Sequence, residues 1–503
     1  MRDPDRAAFG RRRRNSAPRP LLAPALALIV SALALFAWVG TVDAALPRAV
    51  ARAFLDAGVP VNAVSIVVQE TAAPRPLFAH QPDKAMNPAS VMKLVTTFAA
   101  LELLGPDYRW KTEAYLDGAL TDGVLQGNLI LKGYGDPKIT LEQWQGFMLA
   151  LHDKGLDAVT GDLVLDRSFF APAPHNAASF DGEPLKPYNV GPDALLVNFK
   201  SVKFTFAPGA AGDAMDLAVE PSLDAVHLNT VPHLAPGECG DWRSTVAASF
   251  IDRSTSADVG FSGRYPAVCG EREWWLSLLD HPSYVHGMFE TYFRATGGRF
   301  TGRWRSGVAP KGVAPFAVLE SPPLYDVVRD VNKLSNNLMA RQVFLTLATV
   351  GAPPPATTAR ATAKVQLWLA GRKLRMPELV LDNGSGLSRT ERISAGSLSR
   401  LLLAADASPV RDEFASSLAV AATDGTVQRR FQNGTVAGQA LLKTGTLEGV
   451  RAIAGYVIDA EGRRWTVVAL VNHATASRAQ PALDYLVQWV YREGARWRES
   501  DSH

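Results

Sequence analysis

Apolar runs of strand length lie near both ends of the chain. Val64 to Gln69 is predicted to be a buried strand, with a hairpin partner at Leu77 to His80. Ala452 to Ile458 and Trp465 to Val471 have the same character, and a helical pattern from Pro481 to Trp497 follows them. We expect the hairpin and the C-terminal strand pair to complete one sheet, so the domain that holds them would be discontinuous and α+β.

The middle of the chain has a different pattern of apolar and turn-forming residues. From about Lys111 to Val313, short strand-like runs such as Leu129 to Leu131 are separated by glycine, aspartate and proline. Helices are predicted at Glu142 to Leu151 and at the aromatic-rich Glu273 to Ala295. A chain of 503 residues has room for roughly three domains. The pattern therefore predicts a β-rich insertion.

The N-terminus is typical of an export signal. Arg11 to Arg14 form a positive block, and Leu21 to Gly40 carry no charge. Small residues at Val42 and Ala44 predict cleavage before Ala45. The alternative is an uncleaved membrane anchor, since twenty apolar residues can also span a bilayer. Both interpretations place the rest of the chain in the periplasm or elsewhere outside the cytoplasm.

Charge and cysteine content exclude some function classes. The net charge is +3, but residues 1–44 hold seven arginines against three aspartates, so the remainder is near neutral and a nucleic-acid partner is not expected. Cys239 and Cys269 would lie in an oxidising compartment, where either a disulfide or two buried thiols is possible. No His-Glu-x-x-His motif occurs, and no metal or organic cofactor is expected.

Ser90 and Lys93 are three residues apart in a helix predicted to begin with Asn87 as its N-cap and Pro88 at its first position. This spacing puts a hydroxyl and an amine on one face, where the lysine could deprotonate the serine. A lysine pKa of about 10.4 must first be lowered by burial or by a second cation. The alternative is an exposed helix start with a solvated lysine.

Two further motifs could complete such a site. Lys443, Thr444 and Gly445 lie in a strand-like run and could bind a carboxylate, and Lys443 could be the second cation. The alternative for this motif is a turn with an exposed lysine. Ser335-Asn336-Asn337 lies at a helix junction, where it could relay a proton and hold a peptide group, or simply cap a helix.

The combination is more specific than its parts. Ser-x-x-Lys, Ser-x-Asn and Lys-Thr-Gly occur in the order typical of penicillin-binding proteins and class A β-lactamases. The chain resembles the D-alanyl-D-alanine carboxypeptidase/endopeptidases of the low-molecular-mass class C penicillin-binding proteins. The resemblance also extends to further stretches: Gly133–Pro137, Tyr188–Asn189, Val197–Phe199, Asn332–Leu338, Asp382–Arg389, Asp424–Thr426 and Lys443–Thr446. The 241 residues between Lys93 and Ser335 correspond to the predicted insertion.

The resemblance implies an α+β fold, a transpeptidase-like antiparallel sheet flanked by helices, with a mostly β insertion of two smaller domains. After the signal peptide or N-terminal anchor at residues 1–44, the expected division is 45–110 and 314–503 as the catalytic domain, 111–313 as the second domain, and about 208–270 as a nested third domain. The stretch from Asp382 to Ser388 is expected to be a glycine-rich turn beside the site, with Arg389 as a weaker candidate for substrate contact.

The resemblance also implies residue roles. Ser90 would be the acylated nucleophile, Lys93 its general base, and Ser335 the proton donor to the leaving amine. The remaining motif residues would bind the substrate. Asn337 would orient its amide, Lys443 and Thr444 would bind its terminal carboxylate, and Gly445 would let its backbone approach the strand. The N–H groups of Ser90 and Thr446 would form the oxyanion hole.

The implied substrates are peptidoglycan stem peptides ending in D-Ala-D-Ala and the crosslinks between stems, with β-lactams as covalent inhibitors. Membrane contact would occur only through an uncleaved N-terminal segment. The alternatives are a β-lactamase-like hydrolase and a non-catalytic peptidoglycan-binding scaffold. A lipase-type esterase is disfavoured because Gly-x-Ser-x-Gly is absent.

Overall fold

A computed structural model describes residues 46–209, 214–432 and 434–500 of the chain. The predicted export signal at residues 1–44 lies outside these ranges. Within them, no helix combines the length and the apolar character that crossing a bilayer requires.

The strands differ widely in length, and the longest, at Lys111–Thr121, Val124–Gly133 and Ala257–Pro266, lie in the middle part of the chain. In chain order they are β1 (Val64–Glu70), β2 (Phe78–His80), β3 (Lys111–Thr121), β4 (Val124–Gly133), β5 (Ala158–Val159), β6 (Leu163–Asp166), β7 (Val202–Pro208), β8 (Met215–Glu220), β9 (Val226–Thr230), β10 (His233–Ala235), β11 (Val246–Asp252), β12 (Ala257–Pro266), β13 (Arg272–Leu276), β14 (Arg299–Phe300), β15 (Trp304–Ser306), β16 (Ala317–Glu320), β17 (Ala419–Val420), β18 (Ala440–Leu447), β19 (Val450–Ile458) and β20 (Arg464–Asn472).

The helices are concentrated after the middle of the chain. They are α1 (Arg48–Asp56), α2 (Lys93–Leu104), α3 (Leu141–Asp153), α4 (His281–Ala295), α5 (Leu324–Lys333), α6 (Asn337–Leu347), α7 (Thr358–Gly371), α8 (Ala395–Asp406), α9 (Arg411–Ser416) and α10 (Gln480–Ser500). The predicted C-terminal helix corresponds to α10 and the predicted helix at Glu142 to α3.

Both ends of the chain contribute to one antiparallel sheet, as predicted. Its order is β17-β18-β19-β20-β1-β2, so the N-terminal hairpin joins the C-terminal strands through β1 and β20. Val64 pairs with Val471 and Glu70 with Trp465 along the full length of β1. The predicted α+β fold is thus confirmed.

Helices cover both faces of this sheet, which explains why its strands are almost continuously apolar. On β20, Val468 and Leu470 pack with α2, α5, α6, α7, α8 and α9. Their neighbours Val467 and Val471 pack on the other face with α1 and α10. Successive side chains of a strand point to opposite faces, so burial of both faces requires apolar residues at nearly every position.

The strands between Lys111 and Glu320 form separate sheets. One has the order β14-β5-β4-β3-β16, with β6 joining β4 and β15 joining β6. The others are β13-β7-β8, and β10-β12-β11 with β9 also on β12. Their apolar residues form a core with α3 and α4. The division into domains at residues 110, 313 and about 208–270 stays a prediction.

The predicted helix from Glu273 to Ala295 is wrong at its start. Residues Arg272–Leu276 form β13, which pairs with β7, and the helix begins at His281. Asp280 is its N-cap, since the side chain accepts a hydrogen bond from Ser283 N at 2.8 Å, and Pro282 lies in the first turn. The aromatic run therefore spans a strand and a helix, which residue type alone did not separate.

Candidate active site

The residue expected to act as nucleophile lies in a short 3₁₀ turn. Ser90 belongs to Ala89–Met92, and the α-helix begins only at Lys93, so the prediction of one helix from Asn87 is wrong. The side chain of Asn87 accepts a hydrogen bond from Ala89 N at 2.9 Å and donates one to Ser388 O at 2.8 Å. Ala89 takes a φ of +47°, which is incompatible with an α-helix. The turn leaves Ser90 half-buried at the protein surface.

Lys93 is fully buried at the start of α2. Its Nζ lies 3.0 Å from Ser90 Oγ, 2.6 Å from Asn337 Oδ1 and 2.5 Å from the carbonyl oxygen of Ser385. The predicted proximity of the Ser90 hydroxyl and the Lys93 amine is therefore present in the structure. The alternative of a solvated lysine is wrong, because no part of the side chain reaches solvent.

The surroundings of Lys93 favour a neutral amine. Burial lowers the pKa of Lys93 well below its ordinary value, and the charge of Lys443 lowers it further. Glu391 raises this pKa and Arg341 lowers it. A buried cation among other cations has an electrostatic cost that loss of its proton removes.

The contacts of Lys93 also orient the amine. A neutral amine has two N–H groups and one lone pair, whereas the oxygens of Asn337 and Ser385 can only accept hydrogen bonds. When both N–H groups donate to these two oxygens, the lone pair is left for the hydroxyl of Ser90. The arrangement can therefore take a proton from Ser90.

Ser335 and Lys443 form a second polar pair in the site. Ser335 lies between α5 and α6 with a φ of +58°, and its Oγ accepts a hydrogen bond from Lys443 Nζ at 2.9 Å. Asn336 is the N-cap of α6, since its Oδ1 accepts a hydrogen bond from Met339 N at 3.0 Å. The helix-cap alternative is therefore correct for the middle residue of this motif. Burial lowers the pKa of Lys443 to about 7. Lys443 is fully buried on β18, so the alternative of an exposed turn lysine is wrong.

The remaining motif residues follow along β18. Thr444 donates a hydrogen bond to Thr426 Oγ1 at 2.8 Å, and Thr446 is exposed. A Cβ on Gly445 would lie 2.5 Å from the carbonyl oxygen of Pro88, so glycine allows β18 to approach the Ser90 turn closely.

A cleft of about 610 Å³ opens beside Ser335, Asn337 and Thr446. Its lining includes Phe180, Asp181, Tyr188, Ser335, Asn337, Leu387, Thr446, Leu447 and Glu448.

The turn from Asp382 to Ser388 packs beside the site, as predicted. In this turn the carbonyl oxygen of Ser385 accepts a hydrogen bond from Lys93 Nζ. Gly386 has a φ of +80°, and a Cβ at this position would lie 2.0 Å from Ala89 O. Arg389 is exposed, with its guanidinium over the ring of Phe180 at 4.7 Å.

Two charged residues near Lys93 were missed by the sequence analysis. Arg341 lies four residues after Asn337 in α6, which places both on one face and could have indicated it. Glu391 is fully buried and accepts hydrogen bonds from backbone N–H groups. No residue pattern indicates such contacts, because any residue but proline supplies an N–H.

The two cysteines are not part of this site. Cys239 and Cys269 are joined in a disulfide, and Cys269 packs in the core shared by the β-rich sheets. In the part of the chain that the structure describes, no group of three or more His, Cys, Asp or Glu side chains could hold a metal ion.

Comparisons with known proteins cover most of the chain. Residues 46–492 match the model of the D-Ala-D-Ala carboxypeptidase 3 (S13) family. The chain is 27% identical over 436 residues to the D-alanyl-D-alanine carboxypeptidase of Actinomadura sp. (strain R39), covering 83% of this chain and 79% of that one. It is 24% identical over 390 residues to the D-alanyl-D-alanine carboxypeptidase DacB of Haemophilus influenzae, covering 77% and 80%.

Solved structures agree in fold. Penicillin-binding protein 4 of Haemophilus influenzae superposes with a TM-score of 0.74 at 20% identity, covering 88% of this chain and 99% of that one. The same protein in complex with a β-lactam gives a TM-score of 0.70 with the same coverage.

Replacement of Gly386 by alanine is expected to displace the Ser90 turn. The new Cβ would lie 2.0 Å from Ala89 O and 2.7 Å from Ser90 N, both backbone atoms. Misplacing a reacting group by about 1 Å costs roughly 100-fold in rate, so labelling of Gly386→Ala by a fluorescent penicillin should slow by about that factor.

Gly462→Ala is the matched control. Gly462 has a φ of +79° and no atom within 4 Å of its added Cβ, so it carries the same backbone strain without the clash. Equal labelling rates for the two variants would contradict the prediction.

Proposed function

Because the chain belongs to the D-Ala-D-Ala carboxypeptidase 3 (S13) family, it is a serine-type D-Ala-D-Ala carboxypeptidase, and we propose that Ser90 is its acylated nucleophile. Its class is that of the low-molecular-mass class C penicillin-binding proteins. The roles of the site residues, the range of substrates and the cellular location are parts of the same proposal.

The contacts of Lys93 carry the proposal. The amine is buried, its pKa is lowered, and its acceptor-only partners direct the lone pair to Ser90 Oγ at 3.0 Å. These are the requirements for a lysine that acts as a general base at neutral pH. A scaffold that only bound peptidoglycan would not need this neutral, oriented amine.

In the proposed acylation step, Ser90 Oγ attacks the carbonyl carbon of the penultimate D-alanine and its proton moves to Lys93. The C–N bond then breaks, and the leaving D-alanine amine receives a proton through Ser335. The hydrogen bond from Lys443 to Ser335 Oγ keeps this hydroxyl in place and supports its role as a relay. The products are an ester on Ser90 and free D-alanine.

Substrate binding is assigned to the edge of β18. Lys443 in its charged form and Thr444 would bind the terminal carboxylate, and the N–H groups of Ser90 and Thr446 would stabilise the tetrahedral oxyanion. Gly445 keeps the strand close enough to the Ser90 turn for this arrangement. Asn337 would orient the substrate amide in addition to its bond with Lys93.

A water molecule then hydrolyses the ester. The water gives one proton to the base, its hydroxyl to the acyl carbon, and Ser90 recovers its proton. β-Lactams would acylate Ser90 by the same attack, with the amide of the strained ring as the reacting bond.

The same site is proposed to cleave crosslinks between stem peptides, as a D,D-endopeptidase. In D-Ala-D-Ala and in a D-alanyl crosslink to diaminopimelate, the acyl side is D-alanyl and the leaving amine is on a carbon that bears a carboxylate. One nucleophile and one carboxylate site therefore serve both bonds.

Action on peptidoglycan requires a location outside the cytoplasm. We assign residues 1–44 to an export signal that is cleaved in the periplasm, on the sequence pattern given above. N-terminal sequencing of the protein recovered from cells should start at Ala45. A chain retained in the cytoplasm with its N-terminus intact would contradict this assignment.

Ser90→Ala is expected to abolish acylation, because no other group replaces the attacking oxygen. Intact mass with and without a penicillin should show one adduct on the unchanged protein and none on the variant. D-Alanine release from a pentapeptide and cleavage of a crosslinked dimer should both stop.

Ser416→Ala, at an exposed serine of α9, is the control and should acylate normally. An adduct that persists in Ser90→Ala would contradict the nucleophile. An adduct on the unchanged protein that is lost within seconds would indicate a β-lactamase instead.

The pH dependence should report the charge of Lys443. Its pKa of about 7 means that the cation is present below that pH and lost above it. The kcat/KM for a substrate with a free C-terminal carboxylate should therefore fall above pH 7. The same substrate with a C-terminal amide should lack this basic limb. Identical basic limbs for both substrates would contradict a carboxylate site at Lys443.

A further inference from the structure

We propose that Glu391, which has no part in the reaction above, is a positioning residue that holds the general base Lys93 and the Ser90 turn in their reactive arrangement. The inference rests on the proposed function of Ser90 and Lys93. Glu391 lies just after the glycine-rich turn Asp382–Ser388, and its hydrogen bonds go to the turn rather than to Ser90 or Lys93.

One oxygen of Glu391 fixes the backbone of that turn. Its Oε1 accepts hydrogen bonds from the N–H groups of Asp382 at 3.2 Å, Asn383 at 3.0 Å and Gly384 at 2.8 Å. Successive N–H groups converging on one oxygen form an anion-binding concavity. A neutral side chain of similar size would offer a weaker acceptor to three donors.

The turn in its fixed position contacts the base and the nucleophile. The carbonyl of Gly384 accepts from Thr96 Oγ1 at 2.6 Å, which joins the turn to α2. The next carbonyl, that of Ser385, accepts from Lys93 Nζ at 2.5 Å. Gly386 then packs on the backbone of Ala89. Glu391 is thus connected to Lys93 through one rigid turn of backbone.

The charge of Glu391 has a second effect on the base. The charged groups that act on Lys93 are Lys443 on β18, Arg341 on α6 and Glu391, and the charge of Asp382 acts in turn on Arg341 and Glu391. Glu391 is the fully buried anion of this set, whereas Asp382 is exposed. Its charge opposes the effect of the two neighbouring cations and raises the pKa of Lys93.

The second carboxylate oxygen of Glu391 takes no part in anchoring the turn. Glu391 Oε2 is buried without a hydrogen-bond partner, and burial raises the pKa of Glu391 against the effect of the three N–H groups. A buried acceptor without a partner lowers the stability of the fold. Retention of the carboxylate here is explained by its action on the turn and on Lys93.

Glu378 provides the matched control. Its carboxylate also holds a local segment, since Oε1 accepts from Ser394 N at 3.0 Å and from Ser397 Oγ at 2.5 Å at the start of α8. It has no hydrogen bond to the turn or to Ser90 and Lys93. Glu378→Ala therefore removes a comparable anchor without affecting the base.

The experiment measures the rate of acylation by a fluorescent penicillin as a function of pH for the full chain, Glu391→Ala, Glu391→Gln and Glu378→Ala. Circular dichroism and melting temperature report folding. Ser90→Ala gives the background. The unchanged protein must acylate first, because its failure to do so would overturn the proposed function, whereas the outcomes below concern Glu391 alone.

Glu391→Ala should remain folded but acylate about 100-fold more slowly, the effect of a base displaced by about 1 Å. Glu391→Gln keeps an oxygen acceptor and loses the charge, so the turn should hold while the pKa of Lys93 falls. Because a base with a lower pKa loses its proton at lower pH, the acid limb of the acylation rate plotted against pH should move to lower pH than in the unchanged protein. Glu378→Ala should lower the melting temperature and leave the acylation profile unchanged.

Two results would overturn the inference. The first is an acylation rate of Glu391→Ala that equals the rate of the unchanged protein, or that falls only as much as the rate of Glu378→Ala. Either result would mean that Glu391 has a structural role and does not position Lys93. The other is a Glu391→Gln pH profile that superimposes on that of the unchanged protein.

Discussion

The site depends on a lysine amine that is buried inside the protein, where its pKa is lowered. Lys93 is fully buried, and its closest charged neighbours include two further cations, Lys443 and Arg341. Burial among cations lowers the pKa of an amine, while the acceptor oxygens of Asn337 and Ser385 set the direction of its lone pair. Removal of the burial or of the acceptors would leave Ser90 as an ordinary hydroxyl.

The sheet supplies this environment by bringing distant segments together. Lys443 comes from β18, Lys93 from α2 and Asn337 from α6, all on the side of the sheet covered by the larger helical layer. At Gly445 the strand runs so close to Pro88 that a side chain would collide with its carbonyl oxygen. Close approach at this point puts the second cation within electrostatic reach of the first.

Hydrogen bonds between Asn87 and Asn472 join the two ends of the chain beside the Ser90 turn. Asn87 N donates to Asn472 Oδ1 at 2.8 Å, and Asn472 Nδ2 donates to Asn87 O at 2.9 Å. Asn472 is the last residue of β20, which pairs with β1. The position of the Ser90 turn is therefore linked to the pairing of N-terminal and C-terminal strands in the same sheet.

The sequence by itself determined many of the elements and the candidate residues of the site. Periodicity located β1, β19, β20 and α10 to within one to three residues, because apolar spacing is a local property of a chain. The order of the three motifs likewise singled out Ser90, Lys93, Ser335 and Lys443, which the structure places in contact as the pairs Ser90–Lys93 and Ser335–Lys443. The 3₁₀ turn at Ser90 was decided by the tertiary structure, through bonds from Asn87 to Ser388 and Asn472. The same holds for Glu391 and for the strand at Arg272–Leu276. Their partners are backbone groups or a strand far along the chain, and such contacts exist only once the chain has folded.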